Sequence, residues 1–222
     1  MFDRKTMSEP WIDWEGAAEE LLDGARLSAP IDAFKVARAC ELDVVPYSGP
    51  DARLEGHVIR LNTRMRETRQ HFRILHEIAH LALARHRMED SEDGANWVAG
   101  ALLLPRRAFG RDLAKTAWSL PRLRELHCNA SAEAIAIRTV QLRDAVATII
   151  DGRKVSKRLW SPWIDESRLR RLTRFERELA AEALERGEEV RGDELCYAVP
   201  VIEGRWRRVI VVCELEQLSL RL

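Results

Sequence analysis

Two histidines separated by three residues, His76 and His80, occur in the stretch RQHFRILHEIAHLALARH. Apolar residues recur at helical spacing there, and neither glycine nor proline interrupts residues 67–86, so the pattern predicts a helix. Positions i and i+4 of a helix differ by about 40° around its axis, so both imidazoles can face one metal ion. Glu77 points in a different direction from the two histidines, so its carboxylate can reach a water bound to the ion rather than the ion itself.

An accidental or purely structural role for these residues is the alternative. Glu77 stands on an otherwise apolar part of the helix, flanked by Ile74, Leu75, Ile78 and Leu81. A carboxylate in such surroundings is costly to bury unless it is paired or lies near an ion. We therefore interpret the pattern as H-E-x-x-H, in which two nitrogen ligands hold a metal and the glutamate serves as general base.

The predicted site needs a third protein ligand, with a fourth position left for water. After a polar stretch, the apolar run ANWVAGALLLP predicts a second helix that ends at Pro105. Five ionisable residues lie before or at the start of this helix: His86, Glu89, Asp90, Glu92 and Asp93. Glu92 is favoured because it shares a helix face with Asn96, four residues on, whose amide can orient it by a hydrogen bond. Since acids at a helix start commonly do no more than stabilise the helix dipole, the pattern alone leaves the third ligand open.

Three motifs follow one another between Asp43 and Phe109. They are Ile59-Arg60-Leu61-Asn62, then Arg69-Gln70-His71-Phe72 running into His76 to His80, then Glu92-Asp93-Gly94-Ala95-Asn96 running into Leu103-Leu104-Pro105. In this order they resemble the ImmA/IrrE family of zinc metallopeptidases, over about a third of the chain. Gly94 departs from the family pattern, which has a helix-forming residue there, and a glycine can weaken the helix start by up to about 1 kcal/mol.

The resemblance implies one Zn²⁺ per chain, held by His76, His80 and Glu92, with Glu77 as the catalytic base. It also implies a zinc-dependent endopeptidase that cleaves a transcriptional repressor, a helix-turn-helix protein, at a specific site and so derepresses a mobile-element or stress-response programme. Two alternatives from other classes stay open. One is a non-proteolytic zinc protein that sequesters a repressor or an antitoxin-like partner, and the other is a direct DNA-binding regulator.

Residues 57–62 predict a strand beside the site, after a turn-rich stretch at residues 48–56. In zinc-helix proteases the strand bordering the cleft adds the substrate peptide as a further strand through backbone hydrogen bonds. By resemblance, the candidate substrate edge strand consists of His57, Ile59, Leu61 and Asn62. We assign no residue to stabilise the transition state.

Charge and cysteine content limit the surroundings in which this chain can work. Thirty-six basic residues balance thirty-six acidic ones, so no overall field attracts nucleic acid or an anionic membrane. The cysteines, Cys40, Cys128, Cys196 and Cys213, are dispersed without a C-x-x-C pair, which predicts free, reduced thiols. The first residues lack an apolar signal core and no apolar run approaches a membrane span, so we expect a cytoplasmic protein.

The whole pattern predicts an α+β fold in three segments. These are a zincin-like metallopeptidase core at residues 1–110, a helical segment resembling a helix-turn-helix at 111–150, and a small α+β domain at 151–222 with a regulatory or substrate-docking role. In the core we further predict a helix at 9–25 capped by Ser8, a second helix beginning at Pro30, and a strand at 43–47.

The two later segments have their own predicted elements. The middle segment contains helices at residues 120–127 and 131–142, and the second is too apolar to favour DNA recognition. In the last segment we predict a linker at 151–163, a helix at 166–186 ended by Gly187, and a β-hairpin at 194–214.

Overall fold

The computed structural model describes residues 10–164, 171–193, 195–203 and 206–215. These residues form a mixed α+β structure, as predicted. By their contacts they divide into two compact units, of which unit 1 holds residues up to 109 together with 127–130, and unit 2 holds 110–126 together with 131–222. The contacts therefore divide the chain differently from the three predicted segments, because the helix of residues 132–142 packs against the large sheet.

Unit 1 begins with two helices, continues into a small sheet and ends with the two helices of the predicted metal site. Its elements are α1 (Pro10–Ala25), α2 (Ala33–Ala39), β1 (Asp43–Pro46), β2 (Ala52–Glu55), β3 (Val58–Leu61), α3 (Glu67–Arg85) and α4 (Glu92–Leu103), and α5 (Arg106–Lys115) follows. The predicted capping residue of α1, Ser8, lies outside the described residues. The second helix begins at Ala33 rather than at Pro30, because the Asp32 carboxylate caps it by accepting a hydrogen bond from the Phe34 N–H at 2.9 Å.

The small sheet has the strand order β1-β3-β2, with β1 parallel and β2 antiparallel to β3. Two predictions were wrong here. The stretch predicted to be turns contains strand β2, which a two-residue turn at Gly56 (φ 61°) and His57 connects to β3. Strand β3 is consequently the central strand and not an edge. The pattern did not indicate β2 because only four residues pair and two of them, Arg53 and Glu55, are charged and exposed.

Helix α1 packs against the start of α4 and explains the unusual glycine there. The rings of Trp14 and Trp97 lie 5.9 Å apart, and the Trp97 indole N–H donates to the buried carboxylate of Glu15 at 2.9 Å. A Cβ on Gly94 would lie only 3.2 Å from the Trp14 ring and 3.1 Å from Ser91 Oγ. The absence of a Cβ at this position therefore leaves room for the Trp14 ring. Glycine lowers the helix propensity here, but it lets α1 pack more closely.

Unit 2 is built around a five-stranded antiparallel sheet with the order β5-β4-β8-β7-β6. Its further elements are α6 (Leu120–Leu126), α7 (Ala132–Leu142), β4 (Ala145–Asp151), β5 (Lys154–Trp160), α8 (Arg174–Arg186), β6 (Val190–Asp193), β7 (Cys196–Glu203) and β8 (Trp206–Glu214). The two middle helices are confirmed, and Ser131 caps the second of them. The hairpin of β7 and β8 is also confirmed, although its turn at residues 204 and 205 lies outside the described part.

The predicted linker at residues 151–163 was wrong, since most of it forms β5 at an edge of the sheet. An exposed edge strand needs no apolar alternation, and the residues of β5 are mostly polar and solvent-facing. The predicted helix at 166–186 begins later, at Arg174, where Thr173 forms a capping box with Glu176. Residues 165–170 lie outside the described part, and Gly187 (φ 71°) ends the helix as predicted.

Both faces of the large sheet are covered. Helix α8 packs on one face over a core that includes Val146, Ile150, Leu179, Ala183 and Val211. Helix α7 packs against β4, β5 and β8, and it buries Arg138 to 1% exposure. The apolar side of α7 and the Arg138 side chain are thus used for packing within unit 2, in agreement with the packing interpretation of residues 131–142.

All four cysteines were predicted to be free, but two of them are not. Cys196 and Cys213 stand directly opposite each other on β7 and β8 and are joined by a disulfide. Strand register brings them together across 17 residues, so no local spacing indicated the pair. Cys40 and Cys128 are free thiols, as expected.

No helix in the described part of the chain has the length and apolar character needed to cross a membrane.

We predict that Glu176→Gln destabilises unit 2 by about 3–5 kcal/mol, because it removes the carboxylate charge that neutralises a buried guanidinium. Glu176 is 1% exposed, and its carboxylate pairs with the Arg158 guanidinium at 2.6 Å. The matched control is Glu178→Gln, which breaks the exposed pair with Arg174 and should leave the stability almost unchanged. Urea unfolding measures both, and equal losses would contradict the prediction.

We also predict that acid destabilises the protein through His71. This imidazole is 4% exposed, and its Nδ1 accepts a hydrogen bond from the Ala33 N–H at 3.1 Å. Burial lowers the pKa of His71 below its usual range, which outweighs the opposing fields of Asp32 and Glu67. The unfolded chain therefore binds a proton near pH 6.5 while the folded chain does not, so this stability is complete above that pH and is lost as the pH falls below it.

His71→Gln retains an acceptor but does not titrate, so its stability should fall less steeply between pH 7 and pH 5 than that of the wild type. One group contributes at most about 1.4 kcal/mol per pH unit. The difference between the two proteins in urea midpoint across this range is the measurement, and parallel curves would exclude His71 as the titrating group.

Candidate metal centre

Helix α3 places its two histidines one turn apart, with both rings turned to the same point. The Nε2 atoms of His76 and His80 lie 3.2 Å from each other. His76 is buried and His80 is partly exposed, so the point that they face lies at the margin of the core. The predicted i, i+4 geometry is thus the geometry of the structure.

Helix α4 supplies a carboxylate to the same point. Ser91 caps this helix, and Glu92 is its first residue. Glu92 Oε2 lies 3.4 Å from His76 Nε2, and Oε1 lies 3.8 Å from His80 Nε2. One ligand atom from each of the three residues falls within 4.8 Å of the others, so the group can hold a metal ion.

The spacing and the charge state of these atoms both suit zinc. Ligand atoms about 2.0–2.1 Å from a tetrahedral zinc lie about 3.3–3.4 Å apart, close to the 3.2 Å and 3.4 Å separations that involve His76 Nε2. Burial, followed by the neighbouring His80, lowers the pKa of His76, so its ring is neutral and able to donate a lone pair. Its Nδ1 is buried with no hydrogen-bond partner in the described structure.

Asp90 holds His80 from the side away from this point. His80 Nδ1 lies 2.5 Å from Asp90 Oδ1. A proton on Nδ1 that is donated to the carboxylate leaves the Nε2 lone pair directed at the metal position. Asp90 was among the open candidates for third ligand, and the structure gives it a different position, in which it orients a ligand.

Glu77 does not belong to the ligand group, and it contacts the small sheet instead. Its Oε2 accepts a hydrogen bond from the backbone N–H of Leu54 on β2 at 2.9 Å. The other oxygen, Oε1, is not used in this hydrogen bond. Because Leu54 gives its N–H to Glu77, this amide points away from β3, so the free edge of β2 faces helix α3.

The other predicted site residues are not brought to this point. Ile59 and Leu61 are buried in the core at 0% and 1% exposure, while the Asn62 side chain accepts a hydrogen bond from the Arg64 N–H. His57 is exposed in the turn before β3. With β3 paired on both sides, these residues do not form the substrate edge that we expected.

Asn96 is exposed on α4, and within the described residues no hydrogen bond joins it to Glu92. Its proposed role in orienting Glu92 stays a prediction. Sequence reasoning considered Asp90 only as a candidate third ligand, and it did not single out Leu54. Only the acidic character of the loop hinted at Asp90, and no local signal identified Leu54, because a backbone amide has no sequence signature.

Comparison with known proteins supports a metallopeptidase-type hydrolase. A family model matches residues 36–140, a range that includes α3, α4 and every residue of the metal group. That family is peptidase M78, described as the IrrE N-terminal-like domain. The resemblance to the ImmA/IrrE family is therefore confirmed over residues 36–140.

The fold is similar to that of a solved Mycobacterium tuberculosis transcriptional regulator. The TM-score is 0.72, the sequence identity is 17%, and the match covers 94% of this chain and 77% of the other. At this identity the likeness shows the fold alone. A search of curated protein sequences found no match.

We predict that Asp90→Ala raises the dissociation constant for Zn²⁺ about 10- to 100-fold, because His80 loses the carboxylate that fixes its ring. Asp90→Asn should have a smaller effect, since the amide oxygen still accepts a hydrogen bond but carries no charge. Competition with a chromophoric chelator measures the constants. Glu89→Gln, at an exposed neighbouring position, is the control, and equal affinity in all four proteins would contradict the prediction.

Proposed function

We propose that this protein is an intracellular zinc-dependent endopeptidase that cleaves a transcriptional repressor at a specific site. The observation that carries the proposal is the division of roles on α3. His76 and His80 converge with Glu92 into a metal-binding group, while Glu77 lies beside this group without joining it. A purely structural zinc site uses a closed set of ligands and needs no base, so this arrangement favours hydrolysis.

The chain's own residues account for the proton transfers of peptide hydrolysis. Zinc, when bound, acidifies a water and polarises the scissile carbonyl. Glu77 takes the proton of that water through the oxygen that Leu54 leaves available, and it later passes a proton to the leaving amine nitrogen. His76, His80 and Glu92 keep the metal in place, and Asp90 keeps the His80 ring in its tautomer.

The substrate peptide is proposed to bind along β2 instead of β3. Backbone groups of alternate residues in a strand point to the same side, so those of Ala52 face the free edge together with those of Leu54. Because the Leu54 N–H is engaged by Glu77, a peptide added there pairs with the Ala52 backbone and the Leu54 carbonyl. Most sequences can make such backbone hydrogen bonds, while side-chain contacts select the sequence. This position brings the peptide backbone beside Glu77 and the metal group.

The choice of a repressor as substrate rests on the family resemblance. Cleavage would remove repression and switch on a mobile-element or stress-response programme. Direct DNA binding by this chain is disfavoured, because α7 is packed against the large sheet and Arg138 is buried. Sequestration of a repressor without cleavage is the competing outcome that the experiment must distinguish.

We expect the purified full chain to bind one zinc and to cut a repressor encoded beside its gene. Glu77→Gln should retain zinc and repressor binding, whereas cleavage should fall about 10²- to 10⁴-fold, because the general base is lost and the ligands are not. Mass spectrometry of the products measures cleavage, and a chelated wild-type sample is the second control.

Two outcomes would overturn the proposal. Equal cleavage by wild type and Glu77→Gln would show that another group acts as base or that a contaminant cuts. Tight binding of the repressor by zinc-loaded wild type with no cleavage, in vitro or in cells, would favour sequestration.

A further inference from the structure

Besides the hydrogen bond from Leu54 to Glu77, a second contact holds strand β2 to helix α3. Asp51, the residue before β2, receives the guanidinium of Arg73 in a two-pronged ion pair. Arg73 Nε donates to Asp51 Oδ1 at 2.8 Å, and Arg73 Nη2 donates to Asp51 Oδ2. Arg69 adds a longer bond from its Nη2 to Oδ1 at 3.3 Å. The strand start is therefore fixed by side chains of α3.

The two contacts lie on one face of the helix. Arg73 and Glu77 are four residues apart, so they follow each other along the same side of α3. Arg73 binds the residue that leads into β2, and Glu77 binds the Leu54 amide within it. A single helix face thus holds β2 at its start and in its middle, with the general base as one of the two attachment points.

The Asp51–Arg73 ion pair is stronger than a typical solvent-exposed ion pair. The side chains of Arg73 and Asp51 are 25% and 27% exposed, so both are largely shielded from water. The Arg73 hydrogen bond, aided by the charges of Arg73 and Arg69, holds the pKa of Asp51 below its usual range. Two parallel hydrogen bonds from a planar guanidinium also fix the orientation as well as the distance between the groups.

We propose that Asp51 and Arg73 are positioning residues, whose ion pair holds β2 at the place where the Leu54 amide orients the carboxylate of Glu77. The same contact then fixes the position of the strand that receives the substrate and the orientation of the base that activates the water. This inference rests on the proposed function for its catalytic consequence, but the link from Asp51 through β2 to Glu77 is a physical coupling that is measurable without any substrate.

The chain offers a matched control in unit 2. Arg208 binds Asp151 in the same two-pronged manner, with Nε to Oδ1 at 2.7 Å and Nη2 to Oδ2 at 3.0 Å. These side chains are 33% and 25% exposed, close to the values for the first pair. Asp151→Asn therefore removes a comparable two-pronged ion pair that belongs to the other unit.

The experiment compares zinc-loaded wild type, Asp51→Asn and Asp151→Asn as full chains. Hydrogen exchange of the Leu54 amide, followed by NMR, should be at least about 10-fold faster in Asp51→Asn and unchanged in Asp151→Asn. All three proteins should still bind one zinc, because no ligand is substituted. With a cleavable substrate, kcat should fall about 10-fold or more in Asp51→Asn alone, because the base is no longer oriented.

A milder variant keeps the test valid should Asp51→Asn fail to fold. Arg73→Lys retains the charge but loses the two-pronged geometry, so it should give intermediate Leu54 exchange and an intermediate kcat. Unchanged Leu54 exchange in Asp51→Asn, or equal acceleration in Asp151→Asn, would overturn the coupling. If neither the wild type nor any variant cleaves a repressor, the proposed function fails. The exchange measurement still decides whether Asp51 holds β2 against Glu77.

Discussion

The candidate site depends on the close packing of α3 against α4. Both helices bury small residues, Ala79 and Ala82 on α3 and Ala95 and Ala99 on α4, and small side chains let helix backbones approach closely. This approach brings Glu92, at the first position of α4, within 3.4 Å of His76. Metal ligand distances tolerate errors of only about 0.2 Å, so the helix pair, rather than the loop between its members, must set the position of this carboxylate.

The candidate metal group and the proposed general base are supported by different parts of unit 1. The helix pair holds His76, His80 and Glu92, with Asp90 as an additional support, whereas strand β2 orients Glu77. Metal affinity and base orientation can therefore vary independently. A site of this design can lose activity while it keeps its metal, through any change that moves the strand and leaves the helices in place.

The parts of the structure that the sequence predicted well are those set by local geometry. The i, i+4 spacing of His76 and His80 is a property of one helix, and the family motif supplied Glu92 from the next. The edge strand was predicted wrongly because its identity depends on pairing between distant segments, which the charged residues of β2 concealed. The disulfide between Cys196 and Cys213 was not predicted for the same reason, since strand register alone places these two residues opposite each other.

The organisation of unit 2 changes how its role has to be studied. Strand β4 pairs with β5 on one side and with β8 on the other, so a cut at residue 150 would divide the sheet at an interior strand. Helix α7, which precedes β4, would lose the surface that buries Ile135, Ala136 and Val140. Residues 151–222 are therefore not a removable module. Any regulatory or docking role of this region belongs to the unit as a whole, including α6 and α7, and is best probed by surface substitutions that leave its core intact.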